Sequence, residues 1–439
     1  MQTAACFDFN GLRRKLGTKL GIKTIDQELR TPWHMLRGNS SFRWYFLGSV
    51  TSDFGTWLQT TAQVMLAYQL AHSVLAVGLV TFAQFTSPLV LGPWAGVAAD
   101  KFGGRRTLLA TQVASAVTAA TLAGLDFVGL LNVNALVMGA IITGLAFTFA
   151  LPARNVTVQR LVPAGKLKPA FALDSVSYNL GRATAPVVTM IMSLTDISLA
   201  WAFAANAMSF VAFSLMLRQV HMRAAPAPQR RSRVRDGFVI ACRDHRILIL
   251  LLMVAAVTVA DDPILVLGPE LARQMHVPAA WSSWFIAALG TGTVLGSFRG
   301  SKHQPTLRLA ATALAALALC MLLFVQAPTM WFAILAALGA GASCLVANSV
   351  TRAALSEHAG PENTAAVMAV WAIAWAGSKP FASLIDGTLG GWIGPQWTGL
   401  ILAAPALIPI LVLLLVPKAS SWLARTSAAA SDCGLTGAG

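Results

Sequence analysis

The sequence predicts an all-α membrane protein in which about 12 transmembrane helices form two pseudo-symmetric halves of six helices each. The first observation is composition: of 439 residues, 56% are hydrophobic and only 11% are charged, with a mean hydropathy of +0.66. A soluble core needs far less apolar surface. The second observation is the succession of apolar windows, and the third is the placement of basic residues between them.

Apolar windows of roughly 20 residues, the length at which a helix crosses bilayer hydrocarbon, follow one another along the chain. In the first half they are Phe42–Leu70, Leu75–Ala98, Thr107–Leu130, Val133–Val156, Pro169–Leu194 and Ser198–Leu217. In the second half they are Ile247–Leu271, Ala280–Phe298, Leu307–Val325, Met330–Val350, Thr364–Leu389 and Trp397–Val416. Each window is a predicted span.

A long polar connection, Arg218–Arg246, divides the spans into two halves and contains the stretch RAAPAPQRRSRVRDGF. The predicted organisation is a cytosolic basic arm over 1–41, a six-helix half over 42–217, a cytosolic central loop over 218–246, a second six-helix half over 247–416 and a disordered cytosolic tail over 417–439. Within the loop, Asp236–His245 is predicted to form a short amphipathic helix at the membrane surface.

The net charge of +15 reflects membrane topology rather than nucleic-acid binding. Of the 32 Lys and Arg residues, only Arg273 lies in a loop assigned to the outside, and the basic clusters occupy alternate connections. This is the positive-inside pattern. It predicts that both termini are cytoplasmic and that the number of spans is even, and it argues against a nucleic-acid partner.

Enzymatic chemistry has no support in the sequence. The five cysteines show no CxxC or paired spacing, and no nucleotide-binding glycine loop, metal-ligand spacing or nucleophile motif occurs. The first 40 residues contain no apolar segment typical of a cleavable signal peptide. We therefore expect a protein that is not an enzyme and that carries no cofactor or metal.

Five charged residues fall near the middle of predicted spans. Counted inward at 1.5 Å per residue, they are Asp53, Arg182, Asp261, Asp262 and Lys379. Each costs about 2.5–3.5 kcal/mol at a helix centre, so five facing lipid would cost on the order of 12–18 kcal/mol. They are therefore expected to face one another or a water-filled cavity. Predicted spans three, six, nine and twelve carry no such charge.

Two roles are compatible with Asp53, in the stretch SDFGTWLQ. A buried carboxylate suits proton uptake and release, whereas the alternative is a structural ion pair with Arg182 or Lys379. Asp261 and Asp262 lie about 100° apart on a helix, so only one is expected to face the cavity. Pro263 is expected to kink this span, as in a gating helix. The alternative is a carboxylate that merely satisfies backbone donors or Arg182.

The remaining site candidates are less deeply placed or apolar. Lys379 suits an anionic substrate, or an aspartate of the other half that protonation releases. Arg154 and Asp174 suit a cytoplasmic gate pair, with snorkelling of Arg154 to the interface as the favoured alternative. Weaker cavity candidates are Gln59, Trp57, Trp371 and Trp375; for the tryptophans, core packing is the favoured alternative to stacking on a substrate. Asp126, Glu270 and Asp386 lie near outer span ends and are expected to be solvated.

The loop GVAADKFGGRR, between the second and third predicted spans, is the most specific motif in the chain. It fills the order Gly-x-x-x-Asp-(Arg/Lys)-x-Gly-(Arg/Lys)-(Arg/Lys), with glycine at 104 where a cation is usual. The motif residues are Gly96, Asp100, Lys101, Gly103, Arg105 and Arg106. This resembles the loop that marks the major facilitator superfamily. Gly92 and Gly96 form a small-xxx-small pair that favours close helix contact, and the cations alone also set topology.

The resemblance extends across the membrane region. SDFGTWLQTTA, LPARNVTVQRLVP, ALDSVSYNLGRATAP and AWAFAANAMSF are similar to the bacterial branch that includes the enterobactin exporter and transmembrane secretion effectors. Two departures stand out. The glycines of a Gly-Pro-x-x-Gly-Gly motif in span five are absent at 185–190, and the Arg-Gly-Arg common before span eleven is Asn363-Thr364-Ala365.

The resemblance implies the major facilitator fold and a role for the motif loop in locking the two halves together on the cytoplasmic side. It also implies a monomeric transporter in the bacterial inner membrane that exports a small amphipathic drug, siderophore or secondary metabolite, driven by the proton gradient. An importer with the same fold is the alternative. A non-transporting membrane sensor or assembly partner is the alternative of another class, which the cost of mid-depth charges argues against.

Overall fold

A computed structural model describes residues 35–222, 234–300, 307–409 and 411. Within these ranges the chain is almost entirely helical and contains no strand. Most of the predicted basic arm (1–34), part of the central loop (223–233) and the predicted tail (417–439) lie outside the described residues. Residues 35–38 are already helical, and Met35 and Leu36 are buried against the first half.

The first half contains six long helices. They are α1 (Ser40–Ala71), α2 (Val74–Phe102), α3 (Gly104–Phe127), α4 (Val133–Leu161), α5 (Leu167–Leu194) and α6 (Ala200–Arg218). The Asn39, Ser73 and Asn132 side chains accept from the first-turn amides of α1, α2 and α4, which satisfies donors that have no partner within the helix. These caps fix where the helices begin.

The second half begins after a short surface helix, α7 (Val234–Arg243), which is close to the predicted amphipathic segment. Its seventh span is broken into α8 (His245–Asp261), α9 (Pro263–Val266) and α10 (Gly268–Gln274). The remaining helices are α11 (Ser283–Gly300), α12 (Leu307–Val325), α13 (Met330–Trp392) and α14 (Pro395–Ala403). Gly360, with φ +69°, breaks α13 into two spans, because only glycine adopts such a backbone without strain.

Seven of the described helical segments are long and apolar enough to cross a membrane by length and composition alone. Three of the other long segments, α1, α5 and the second part of α13, contain buried or half-buried charges, among them Asp53, Arg182 and Lys379. A hydropathy criterion penalises such residues. The architecture agrees with the predicted two-half, twelve-span plan.

The two halves pack together mainly through α2 against α13 and α5 against α11. A side chain on Gly78 would collide with the Ser383 carbonyl and with Gly387, and one on Gly290 would collide with the backbone at Arg182. Glycine therefore permits the close approach of helices from opposite halves. The helices at this interface correspond to the second, fifth, eighth and eleventh predicted spans.

We call the end of the bundle that carries Lys101–Arg106 the motif face, and the other end the distal face. At the distal face Tyr68 of α1 donates to Glu270 of α10 at 2.5 Å, and Ser283 of α11 contacts the Met65 sulfur at 3.4 Å. At mid-depth Thr293 of α11 donates to Asn179 of α5 at 2.9 Å. These contacts join the halves from the middle of the bundle to the distal face.

The two neighbouring glycines of the motif have different structural requirements. Gly103 has φ +85° at the junction of α2 and α3. A Cβ at Gly104 would lie 2.8 Å from the Ala153 carbonyl oxygen and 2.8 Å from the Thr157 hydroxyl of α4. Close contact with α4 therefore explains why glycine replaces the usual cation at 104.

Gly92 and Gly96 differ from these glycines, because no atom lies within 4 Å of where their Cβ atoms would be. The close helix contact predicted for this pair is thus wrong for this conformation. The face of α2 that carries these two glycines is open, while Ala95 and Ala99 at the same end of the helix are buried.

We predict that Gly104→Ala lowers the free energy of unfolding by about 2 kcal/mol, because it overpacks the α3–α4 contact. Gly96→Ala, in open space within a helix, should leave stability unchanged or slightly higher. Thermal unfolding of the purified variants in the same detergent checks this. Equal melting temperatures for the two variants would contradict the packing assigned to Gly104.

Candidate functional site: two buried charge clusters

The first cluster lies inside the first half and is centred on Arg154. Its guanidinium forms two bonds to the Asp53 carboxylate, Nη1–Oδ1 at 2.6 Å and Nη2–Oδ2 at 3.0 Å. Nη2 also lies 3.0 Å from Asp174 Oδ1. Ser177 donates to Asp53 at 2.5 Å, and Tyr45 donates to Asp174 at 3.0 Å. Helices α1, α4 and α5 are thereby held together by charge-assisted bonds.

This geometry corrects two expectations. Arg154 does not snorkel to the interface: its side chain is 15% exposed and lies between two carboxylates. Asp53 pairs with Arg154 rather than with Arg182 or Lys379. Sequence reasoning treated Arg154 as shallow because it counted depth along α4 and did not consider that a long arginine side chain reaches toward the middle of the bundle.

The second cluster joins the halves at mid-depth. Arg182 of α5 lies 3.3 Å from Asp261 Oδ2 at the end of α8. Lys379 of α13 lies 3.1 Å from Asp262 Oδ1, and Ser383 donates to Asp262 Oδ2 at 2.6 Å. If all four charged groups are ionised, their charges cancel.

Both neighbouring carboxylates are therefore buried and paired, so the expectation that only one faces inward is wrong. The reason is the break at Pro263. Helix α8 ends at Asp261 and α9 begins at Pro263, because proline lacks the amide needed to continue the helix. Lys379 pairs within its own half, and Arg182 supplies the contact across the halves.

A polar cavity of about 70 Å³ lies within the first half, beside the Asp53–Arg154 pair. Its lining includes the amide side chains of Gln59, Gln63, Gln84, Gln112 and Asn206. Asn206 donates to Gln59 at 2.7 Å. A polar space of this size holds about five water molecules, which is too small for an amphipathic substrate.

The predicted tryptophans occupy two different environments. Trp57 packs edge-on against Tyr178 with ring centroids 5.5 Å apart, and the Arg182 guanidinium lies 5.3 Å from its ring. Trp371 and Trp375 stack on each other, with centroids 6.0 Å apart and planes inclined by 4°. Trp57 therefore links the two charge clusters, whereas the other two form a separate aromatic pair.

Asp386 is the residue that sequence reasoning missed. It was expected to be solvated, yet it is fully buried, and neither carboxylate oxygen has a hydrogen-bond partner within the described ranges. The signal was its spacing: Lys379, Ser383 and Asp386 stand at i, i+4 and i+7, on one helix face. Glu270 is also paired, with Arg273 at 2.9 Å, and Asp126 accepts from Ser198 at 3.3 Å.

The motif residues lie at the surface of the motif face. Asp100, Lys101 and Arg106 are exposed, and Lys101 lies 5.5 Å from the centre of the Phe102 ring. Arg105 donates to the Arg218 carbonyl of the same half at 3.0 Å. Within the described ranges, no contact from these cations to the second half is recorded, so the predicted lock is not formed in this conformation.

Comparison with known proteins identifies the class. Residues 30–432 match the family described as transmembrane secretion effector, so the chain belongs to this family of major facilitator transporters. The chain is 22% identical over 221 residues to the staphyloferrin A transporter of Staphylococcus aureus (strain NCTC 8325 / PS 47), covering 49% of this chain and 55% of that protein. It is 23% identical over 262 residues to the uncharacterized MFS-type transporter YfiS of Bacillus subtilis (strain 168), covering 56% and 60%. These matches span less than two thirds of either relative.

Solved structures support the fold alone. The nucleoside transporter NupG aligns with a TM-score of 0.68 at 15% identity, covering 85% of this chain and 98% of that chain. The POT family transporter PepTSo aligns with a TM-score of 0.68 at 13% identity, covering 88% and 99%. The protein is thus a multi-span membrane transporter of the major facilitator type, and its family and relatives are transporters rather than enzymes.

We predict that two Asp→Asn substitutions, identical in the atoms they change, differ in their effect on the free energy of unfolding. Asp53→Asn should lower the free energy of unfolding by about 3 kcal/mol, because it leaves Arg154 buried with one carboxylate instead of two. Asp386→Asn should have little effect, because neither oxygen has a bond to lose. Melting temperatures in one detergent check both. If Asp386→Asn lowers the melting temperature as much as Asp53→Asn does, the Asp386 carboxylate must have a hydrogen-bond or ion-pair partner.

Proposed function

We propose that this protein is a secondary active transporter that exports a small amphipathic molecule, such as a drug, siderophore or secondary metabolite, in exchange for protons. It acts as a monomer in the bacterial inner membrane with both termini in the cytoplasm. The observation that carries the proposal is the Arg182–Asp261 ion pair, which joins the two halves at mid-depth. Alternating access moves one half against the other around such a site.

Proton coupling follows from the chemistry of this pair. While Asp261 is ionised it compensates the buried charge of Arg182, and removing one partner of a buried pair costs about 3–5 kcal/mol. A proton on Asp261 removes this attraction and frees Arg182 for another anion. Proton binding therefore weakens a bond between the halves, as an exchange mechanism requires.

The open end of this conformation is compatible with export, because an exporter loads its substrate from the cytoplasm, and an importer passes through the same state when it releases its substrate. The contacts between the halves run from mid-depth to the distal face, while Gly92 and Gly96 near the motif face meet no neighbour. The basic loops assign the motif face to the cytoplasm by the positive-inside rule. This conformation would then receive its substrate from the cytoplasm.

Two observations support the proposed substrate class: the name of one relative and the aromatic side chains around the mid-depth charges. One relative is named as a transporter of staphyloferrin A, and the mid-depth cluster lies beside aromatic rings, with Lys379 5.0 Å from the centre of the Phe85 ring. Paired charges beside aromatic surface suit a molecule with both polar and apolar parts.

The experiment is accumulation of a panel of amphipathic dyes, antibiotics and siderophores in a pump-deficient bacterium. Cells would express the wild type, Asp261→Asn, Asp53→Asn or the matched control Asp126→Asn, each with and without a protonophore. We expect the wild type to lower accumulation at least about tenfold for its substrate, and the protonophore to abolish this effect. Asp261→Asn and Asp53→Asn should impair export at equal expression, while Asp126→Asn should not.

Each outcome of this assay decides between the alternatives. Higher accumulation in expressing cells would show import. Export that a protonophore leaves intact would contradict proton coupling. No change for any compound in the panel would count against export of this substrate class.

Alternating access itself can be tested at Gly96. Gly96→Leu adds a side chain in space that is open here, so folding should be unaffected. If the motif face closes during the cycle, that side chain obstructs closure and transport falls several-fold. Flux measured in proteoliposomes, with Gly124→Leu as a second substitution in open space, checks this. Wild-type flux in Gly96→Leu would contradict closure at this position.

A further inference from the structure

Arg352 of α13 is a cation that the proposed mechanism does not use. Its guanidinium lies 4.7 Å from the centre of the Trp371 ring. In the described part of the chain no carboxylate forms an ion pair with it. Arg352 is exposed just past the predicted tenth span, on the motif-face side, so its positive charge is accessible to an anion that approaches from that face.

The two halves differ at corresponding positions. Arg154 stands nine residues before Pro163, and Arg352 stands nine residues before Pro361. Arg154 binds Asp53 and Asp174, whereas Arg352 faces an indole ring. The second half has thus kept the cation of the internal repeat without the carboxylates that neutralise it in the first half.

The aromatic neighbour offers a second unused donor. The Nε1–H group of Trp371 is buried and has no hydrogen-bond partner among the residues that the structure describes. A buried donor without a partner costs about 1–3 kcal/mol, so a ligand that accepts from it recovers this cost. A guanidinium and an indole N–H beside one another match the oxygens of a carboxylate.

The placement of these groups connects them to the transport site. Trp371, Trp375 and Lys379 stand at i, i+4 and i+8, so they form a stripe along one face of α13. The stripe runs from the motif-face side of the interior to the mid-depth cluster, where Lys379 meets Asp262. Trp375 stacks on Trp371 and supplies apolar surface beside the free charge.

We propose that Arg352 and Trp371 bind the carboxylate of an aromatic or otherwise planar amphipathic anion, whose apolar part packs against Trp375. This deepens the proposed function and rests on it for the site's role in transport, because it names the class of molecule taken up from the motif face. An organic cation is disfavoured, since Arg352 repels it and none of the described ion pairs neutralises Arg352.

The test measures binding without a gradient. Tritiated 2-naphthoate is bound to purified protein in nanodiscs, with unlabelled 2-naphthamide as the uncharged competitor. We expect saturable binding of the acid that the amide displaces at least about tenfold less well. Arg352→Gln should weaken binding at least about tenfold, and Arg352→Lys should retain part of it, because it keeps the charge but loses the planar guanidinium. Trp371→Phe should weaken binding about threefold, because it removes the indole N–H and part of the ring surface while keeping an aromatic side chain.

Two matched controls separate this site from a general effect. Arg308→Gln removes an exposed cation near the motif face, and Trp331→Phe alters a tryptophan that is 70% exposed at the other end of α13; both should bind as the wild type does. No saturable naphthoate binding, equal competition by the amide, or unchanged binding in Arg352→Gln would overturn the proposal. Binding that passes this test while cells show no proton-driven flux would overturn the proposed function and leave the anion site standing.

Discussion

The cost of placing charge in a bilayer governs the interior of this protein. A charged side chain at mid-depth costs several kcal/mol unless it is paired, and five such residues form ion pairs in two clusters. The first cluster ties α1, α4 and α5 into one body, since Arg154 contacts carboxylates from both other helices. The second contains the pair between the halves. The same constraint therefore joins three helices within the first half and places one ion pair, Arg182–Asp261, between the halves.

Close backbone contacts determine where the halves can separate. Gly78 against Gly387 and Gly290 against Arg182 bring helices from opposite halves into contact, and contacts of this kind require that no side chain intervene. Gly92 and Gly96 could also permit close helix contact, but in this conformation no atom lies within 4 Å of where their Cβ atoms would be. Small residues on α2 thus support contact at the distal face now and leave room for contact at the motif face in another state.

Most of the fold was predictable because spans are set by composition and length. The motif in the loop Gly96–Arg106 indicated the family. The cost of burying charge in lipid predicted that five residues face the interior: Asp53, Arg182, Asp261, Asp262 and Lys379. The pairing partners were not predictable, because they depend on how far long side chains reach between helices. Arg154 was therefore underestimated, and Asp386 was assigned to solvent because its distance from the span end does not report the packing of α2 against α13.

The two halves differ in how completely their charged side chains are paired. In the first half every buried charge has a partner from its own half, except Arg182, whose partner belongs to the other half. Among the described residues of the second half, Asp386 has no hydrogen-bond partner, and Arg352 lies over an indole ring without an ion pair. A group without a partner has more to gain from a ligand or a proton than one already satisfied. The buried groups that a ligand or a proton would stabilise most therefore lie on α13, whereas those of α1, α4 and α5 already have partners.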